Sequence, residues 1–330
     1  MCCWINRTRL FRVSNDSWSH NFGSRQTSFF SGSHLSRFTS LNSNTRFQRL
    51  SPGHSAALAC QLEAAVPKPG NVHRGADFKD ASFYDFIVSG QLLGDAIDRS
   101  PEKSLGEMVF LIVERTKSQV RLNTNLGIAL LLAPLAICAR RGQPLKSESI
   151  HELLVNSDQS DCNEIYRAIQ MANPGGLGTE RIFDVNEAAP NQILKAMELA
   201  RERDLIARQY VLDFRDVFEF VTPRIVNLQQ ENQSLSRSIV QTHVELIAMF
   251  SDSLIARKCG SEIAGQAQQL AQLAVDSLPH GWEEFENAVG EMDFWMRSDG
   301  NRRNPGATAD LIAAGLFVGL WNEELGWPWH

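Results

Sequence analysis

From residue 51 onward, apolar residues recur at three- and four-residue spacing, and no run alternates apolar with polar residues over the length of a strand. This regularity predicts an all-α fold, a single multi-helix domain over 51–330. The expected helices cover 55–66, 82–99, 104–120, 126–140, 147–155, 161–171, 191–203, 215–226, 236–250, 261–278, 282–297 and 307–321. Ser82, Ser104 and Asp161 stand where N-caps belong. Several of these helices are apolar on more than one face. Such helices need burial all round, so a central helix wrapped by others is expected rather than a four-helix bundle. With 330 residues, 43% of them hydrophobic, the chain can bury a large core.

The first fifty residues have a different character. They hold seven arginines and one acid, Asp16, among many Ser, Asn, Thr and Phe residues. Their charge is +6 against −6 for the whole chain, which leaves −12 on the remainder. Residues 1–50 are expected to be a disordered basic extension. Their composition also resembles an organelle transit peptide, and a start codon assigned too far upstream would look the same. The acidic balance argues against nucleic acid as a partner. The longest apolar run, 126–139, contains Gly127 and Pro134 and ends at Arg140, too short to span a bilayer. Cys2, Cys3, Cys60, Cys138, Cys162 and Cys259 show no paired spacing, which fits a reducing compartment such as the cytoplasm.

Against this helical background, polar segments stand out. Leu58, Leu62 and Ala65 share one face of the first helix, and Pro67 ends it. Pro69 and Gly70 then make a stiff turn that carries Lys68, Asn71, His73 and Arg74. A fixed lysine beside an amide, an imidazole and a guanidinium suits an anion, although a solvated basic loop reads equally well. Asn123, Thr124 and Asn125 precede an apolar helix, whose free N–H groups would face a ligand or be plainly capped. The stretch 249–260 offers Asp252, then Arg257 and Lys258, then Gly260. Asp252 and Arg257 could pair structurally, or Asp252 could hold Mg²⁺ while the cations meet phosphates. Asn304-Pro305-Gly306 opens the last helix, with Thr308 and Asp310 inside it. A weaker segment follows the glycines of 173–178 and brings Asp184 and Glu187 as further metal-ligand candidates. Walker, zincin, nucleophile-elbow and deaminase signatures are missing from the sequence.

Taken together, Pro67–Gly70, Asn123–Gly127, Asp252 with Arg257, and Asn304–Asp310 resemble, in order and spacing, the triphosphoribosyl-dephospho-CoA synthase family. The resemblance covers most of 51–320. It implies an all-α enzyme that joins ATP to a hydroxyl of 3′-dephospho-CoA and releases adenine. The product is the precursor of the citrate lyase or malonate decarboxylase prosthetic group. Three departures stand out: Val66 replaces a threonine, Asn71-Val72-His73 replaces Leu-Val-Asp, and Asn125-Leu126 replaces His-Lys. The chain looks closer to the divergent archaeal-type branch, whose acceptor need not be dephospho-CoA.

The implied chemistry is displacement at C1′ of the ATP ribose through an oxocarbenium-like transition state. Asp252, Asp310, Glu63 and His73 are the acid–base candidates. Lys68, Asn71, Asn123, Thr124, Asn125, Arg257, Lys258, Asn304 and Thr308 are the candidates for holding ATP, with Mg²⁺ on Asp252, Asp184 and Glu187. Two competing readings are an N-glycosidase, in which water replaces the acceptor, and a non-catalytic helical binding protein. A related transfer to another cofactor precursor, such as a pterin-type carrier, is a third. The expected partners are small molecules, with neither nucleic acid nor membrane; a homodimer is compatible with the sequence. Lys68→Ala and Asp252→Asn are expected to abolish transfer while leaving the helices intact.

Overall fold

The computed structural model describes residues 50–120, 125–142, 144–173, 188–231 and 233–325. The expected extension over 1–50 lies, apart from Leu50, outside these residues. So do the candidates Asn123, Thr124, Asp184 and Glu187.

Two helices are apolar all round, and the fold is built about them. Helix α4 (Leu126–Ala139) buries 11 of its 14 residues, and α14 (Gly306–Trp321) buries 13 of its 16. A helix with no polar face can only be stable with neighbours on every side. Accordingly α14 touches α1 (Pro52–Ala65), α4, α8 (Leu205–Val211), α9 (Thr222–Gln230), α10 (Leu235–Phe250) and α11 (Ser253–Cys259). Helices α2 (Phe83–Arg99), α3 (Leu105–Val120), α5 (Ser147–Val155) and α6 (Gln159–Ala172) pack on the α4 side. The remaining helices, α7 (Ile193–Ala200), α12 (Ser261–Ser277) and α13 (Trp282–Arg297), form outer layers. The helices share one apolar core. Among the described residues there is no strand, only an isolated bridge between His73 and Ala76.

Pro134 inside α4 cannot donate to the carbonyl of Leu130 one turn back. The Tyr210 hydroxyl takes that acceptor at 2.8 Å, so the buried carbonyl is not left without a donor. No single helix among the described residues is long and apolar enough to cross a membrane.

The structure departs from the sequence reading at three helices. The stretch 249–260 contains a helix, α11, capped by Asp252. A further short helix, α8, starts at a second capping aspartate, Asp204. The expected helix over 215–226 is split into a π-helical segment, Asp216–Val221, and α9. The cap of α6 is Asp158, with Asp161 returning the bond as the third residue of a capping box.

The turn after α1 is tied to α13 and to the start of α14. Gly70 N donates to Asp293 Oδ1 at 2.7 Å, and Arg297 links Asp293 to the carbonyl of Asn71. Gly70 has φ +74°, and a Cβ there would lie 2.6 Å from Met296 Sδ and 2.8 Å from Pro305 Cδ. Gly70→Ala is therefore expected to cost about 2–4 kcal/mol in a urea titration, from left-handed strain plus overpacking. An unchanged midpoint would show that the turn is not fixed as described.

Candidate active site

Four chain segments meet at one cavity of about 250 Å³: the end of α1 with its turn, the start of α4, α11, and the start of α14. Its polar lining comes from Glu63, Asn71, Arg257, Lys258, Asn304 and Asp310, with Asn173 added from the end of α6. Leu126, Phe86 and Leu254 contribute apolar wall. The segments are brought together because α14 packs directly on α1, α4 and α11.

Lys68 lies beneath this lining rather than in it. Its side chain is 0% exposed, and its Nζ is 2.9 Å from Glu63 Oε1. The same ammonium donates to the carbonyls of Glu63 and Val66, which end α1 without helical partners. Pro67 and Pro69 fold the turn back over the helix end, so Lys68 caps α1 and neutralises Glu63. The expectation of a lysine free to meet phosphate is corrected on this ground.

Asp252 is likewise fully buried and absent from the cavity lining. Its Oδ1 accepts from Leu254 N at 2.8 Å and Ile255 N at 3.0 Å. Its Oδ2 accepts from the N–H and the hydroxyl of Thr308, both at 2.8 Å. One carboxylate thus holds the start of α11 against the start of α14. With both oxygens occupied, Asp252 is neither a Mg²⁺ ligand nor a proton carrier in this arrangement, and Thr308 serves it rather than a nucleotide. The sequence contained this signal: an aspartate directly before Ser-Leu-Ile-Ala is an N-cap pattern.

His73 does not line the cavity. Its Nδ1 accepts from Gly75 N at 3.1 Å in the turn closed by the His73–Ala76 bridge. Burial, then the Arg297 charge, holds its pKa below the usual value, so it is a neutral turn acceptor rather than the expected catalyst.

Glu63, Asn71, Arg257, Lys258, Asn304 and Asp310 do line the cavity, whereas Asn125 and Thr308 do not. Asn71 Nδ2 donates to Asn304 Oδ1 at 2.6 Å, joining the two glycine-containing turns. Asn71 Oδ1 is buried without a partner, as is Nδ2 of Asn125 at the start of α4. Orphan polar atoms of this kind beside a cavity suit a ligand that completes them. Arg257 is 2.9 Å from Asp204 Oδ2, so α8 and α11 are linked through their capping region. Lys258 has no ion-pair partner among the described residues, and burial followed by the Arg257 charge lowers its pKa. In Asp310 the carboxyl is pushed well above the usual range by burial, then by Glu63, Asp252 and Asp204, with Arg257 opposing.

His243 was not singled out from the sequence. It is buried in α10, and burial with the Lys68 charge holds it neutral against the opposing pull of the Pro305 carbonyl. A histidine inside Ile-Val-Gln-Thr-His-Val-Glu-Leu offers only an apolar helical setting as a clue. Among the described residues no group of three His, Cys, Asp or Glu side chains could hold a metal ion.

Acids and cations gathered around one cavity at helix ends suit a charged small molecule. The chain belongs to the CitG family, ATP:dephospho-CoA triphosphoribosyl transferase, whose model matches residues 49–328. It is thus a transferase, and the family reaction, triphosphoribosyl transfer to dephospho-CoA, is favoured over nucleotide hydrolysis or a purely binding role. A solved structure from Archaeoglobus fulgidus, provisionally described as a triphosphoribosyl-dephospho-CoA synthase, shares the fold at a TM-score of 0.56 and 23% identity. The alignment covers 74% of this chain and 100% of the archaeal one. No curated protein matches the sequence.

Proposed function

We propose that this cavity binds the ribose end of ATP and transfers its triphosphoribosyl group to a hydroxyl of 3′-dephospho-CoA, or of a close relative, releasing adenine. The observation carrying this reading is that three distant parts of the chain bring Glu63 and Asn71, Lys258, and Asn304 and Asp310 to one cavity beside the start of α4. In the reaction the C1′–N9 bond breaks and a C1′–O bond to the acceptor forms. Lys258, helped by Arg257, supplies positive charge for the triphosphate. The Asn71–Asn304 pair orients the sugar or base through the unpartnered Asn71 Oδ1. Phe86 and Leu254 keep the base side of the cavity apolar.

Mg²⁺ belongs to this reading as the counterion that ATP brings with it. Asp252 does not fit as its ligand, because both its oxygens are occupied, and Asp184 and Glu187 lie outside the described residues; no step is assigned to the metal. The free thiols of Cys60, Cys138, Cys162 and Cys259 support a reducing compartment such as the cytoplasm.

The test is incubation with Mg-ATP and 3′-dephospho-CoA, followed by mass spectrometry. Adenine and a triphosphoribosyl adduct in equal amounts are expected. Adenine without any adduct would replace the transferase with an N-glycosidase, and no adenine would refute both. Lys258→Ala is expected to raise KM for Mg-ATP by about tenfold, with a smaller change in kcat, because it removes binding shared by the ground and transition states. A KM unchanged by that substitution would place the triphosphate elsewhere.

A further inference from the structure

Four acid–base candidates were legible in the sequence, and the geometry separates them. Asp252 is saturated by four donors and sealed from the cavity. His73 is an acceptor in a turn outside the lining. Glu63 lines the cavity but is bound through Oε1 to the Lys68 ammonium. Asp310 lines the cavity and has no hydrogen-bond partner among the described residues. Its position is set tightly: a Cβ placed on Gly127 would lie 1.9 Å from Asp310 Oδ2. The carboxyl is thus pressed against the first turn of α4, and only a glycine leaves room for it there.

We infer that Asp310 is the general acid of the reaction, delivering its proton to a ring nitrogen of the departing adenine, while the Lys68-balanced carboxylate of Glu63 faces the developing sugar cation. This rests on the transferase reading above. As the C1′–N9 bond breaks, its electron pair leaves with the purine, and the Asp310 proton makes the leaving group neutral adenine. The acceptor hydroxyl then attacks C1′ and gives its proton to water, and once adenine has left the Asp310 carboxylate takes a proton back from water. No outside oxidant or reductant enters, and one proton moves in each direction.

The electrostatic surroundings support the same assignment. Glu63 from α1, Asp252 before α11 and Asp204 before α8 all act to keep Asp310 protonated, with Arg257 of α11 the one opposing charge of note. Burial keeps Cys60 of α1 a thiol, with Glu63 and then Asp310 acting in the same direction. A neutral carboxylic acid is what a leaving purine needs; an ionised one would have no proton to give.

The direct test uses two nucleotides. One is ATP, whose adenine gains from protonation as it leaves. The other is an ATP analogue whose purine carries a permanent positive charge and departs without a proton. With ATP, Asp310→Asn is expected to slow transfer by about 10²–10⁴-fold, whereas with the cationic analogue the loss shrinks to within about tenfold. Equal losses with both nucleotides, or no loss with ATP, would overturn the assignment. The variant should fold, since it deletes a carboxyl whose pKa is raised on folding. Such a group makes the wild type lose stability as pH rises from the ordinary aspartate value of 3.8 toward the raised one, so the amide is expected to be no less stable at neutral pH. Should it nevertheless misfold, Gly127→Ala carries the test. It suits a helix by propensity, displaces the Asp310 carboxyl, and should show the same ATP-selective loss; a loss indifferent to the leaving group would again refute the role. Wild-type turnover of ATP distinguishes the two levels: if it fails, the transferase reading fails, and if it succeeds without this selectivity, only the role of Asp310 fails.

Discussion

Replacing Lys68 by methionine is expected to lower the unfolding free energy by about 3–5 kcal/mol, because it strands a buried carboxylate. Methionine keeps most of the volume, so the loss is electrostatic and not a cavity effect. Glu63 loses its partner at 2.9 Å, and the carbonyls of Glu63 and Val66 lose a donor. The unpaired Glu63 then shares the cavity with Asp310 and loses the cation that contacts it directly. The double substitution Lys68→Met with Glu63→Gln is expected to recover most of the stability and none of the transfer activity, since the negative charge at the sugar is still missing. Chemical denaturation of the two singles and the double gives the coupling directly. A single variant as stable as wild type would show that the ion pair is not buried as described.

Asp252→Ala is the second large effect. Four donors converge on this carboxylate: two N–H groups of α11, and the N–H and hydroxyl of Thr308 in α14. The alanine variant removes a helix cap and leaves buried donors unsatisfied, for an expected loss of about 3–5 kcal/mol. Asp252→Asn should also be damaging, since its NH₂ group must face donors on one side. Thr308→Val breaks only the hydroxyl bond, and a loss of about 1 kcal/mol is expected. Thermal unfolding of the three variants checks the order. If alanine at 252 leaves the melting temperature unchanged and only activity falls, Asp252 is a catalytic residue and the structural account of it is wrong.

These two predictions run against an expectation drawn from the sequence, that Lys68→Ala and Asp252→Asn abolish transfer while leaving the helices intact. The reason is physical. Helical periodicity reports which side of a helix is buried, so the apolar 126–139 and predominantly apolar 307–321 runs could be read as core helices, and α4 and α14 are those helices. Turns carry no periodicity. Nothing in Pro67-Lys68-Pro69 says whether the lysine faces water or folds back under the helix it ends. Asp252 was legible as a cap, but its second pair of donors comes from Thr308, 56 residues away. Short helices were missed for a related reason: α8 and α11 each have seven residues, too few for a clear apolar stripe. At the site, Glu63, Asn71, Lys258, Asn304 and Asp310 were all legible as polar residues at helix ends, and the cavity gathers them. Their division of labour was not legible, because it depends on Lys68 binding one carboxyl and Gly127 making room for the other.

The most direct measurement is a crystal structure of the Asp310→Asn variant with Mg-ATP. It should hold the triphosphate against Lys258 and Arg257, with the ribose C1′ between Glu63 and the amide at position 310. Nucleotide seated instead in the separate cavity lined by Asp77, Lys79, Asp80, Arg297 and Asn301 would contradict the account.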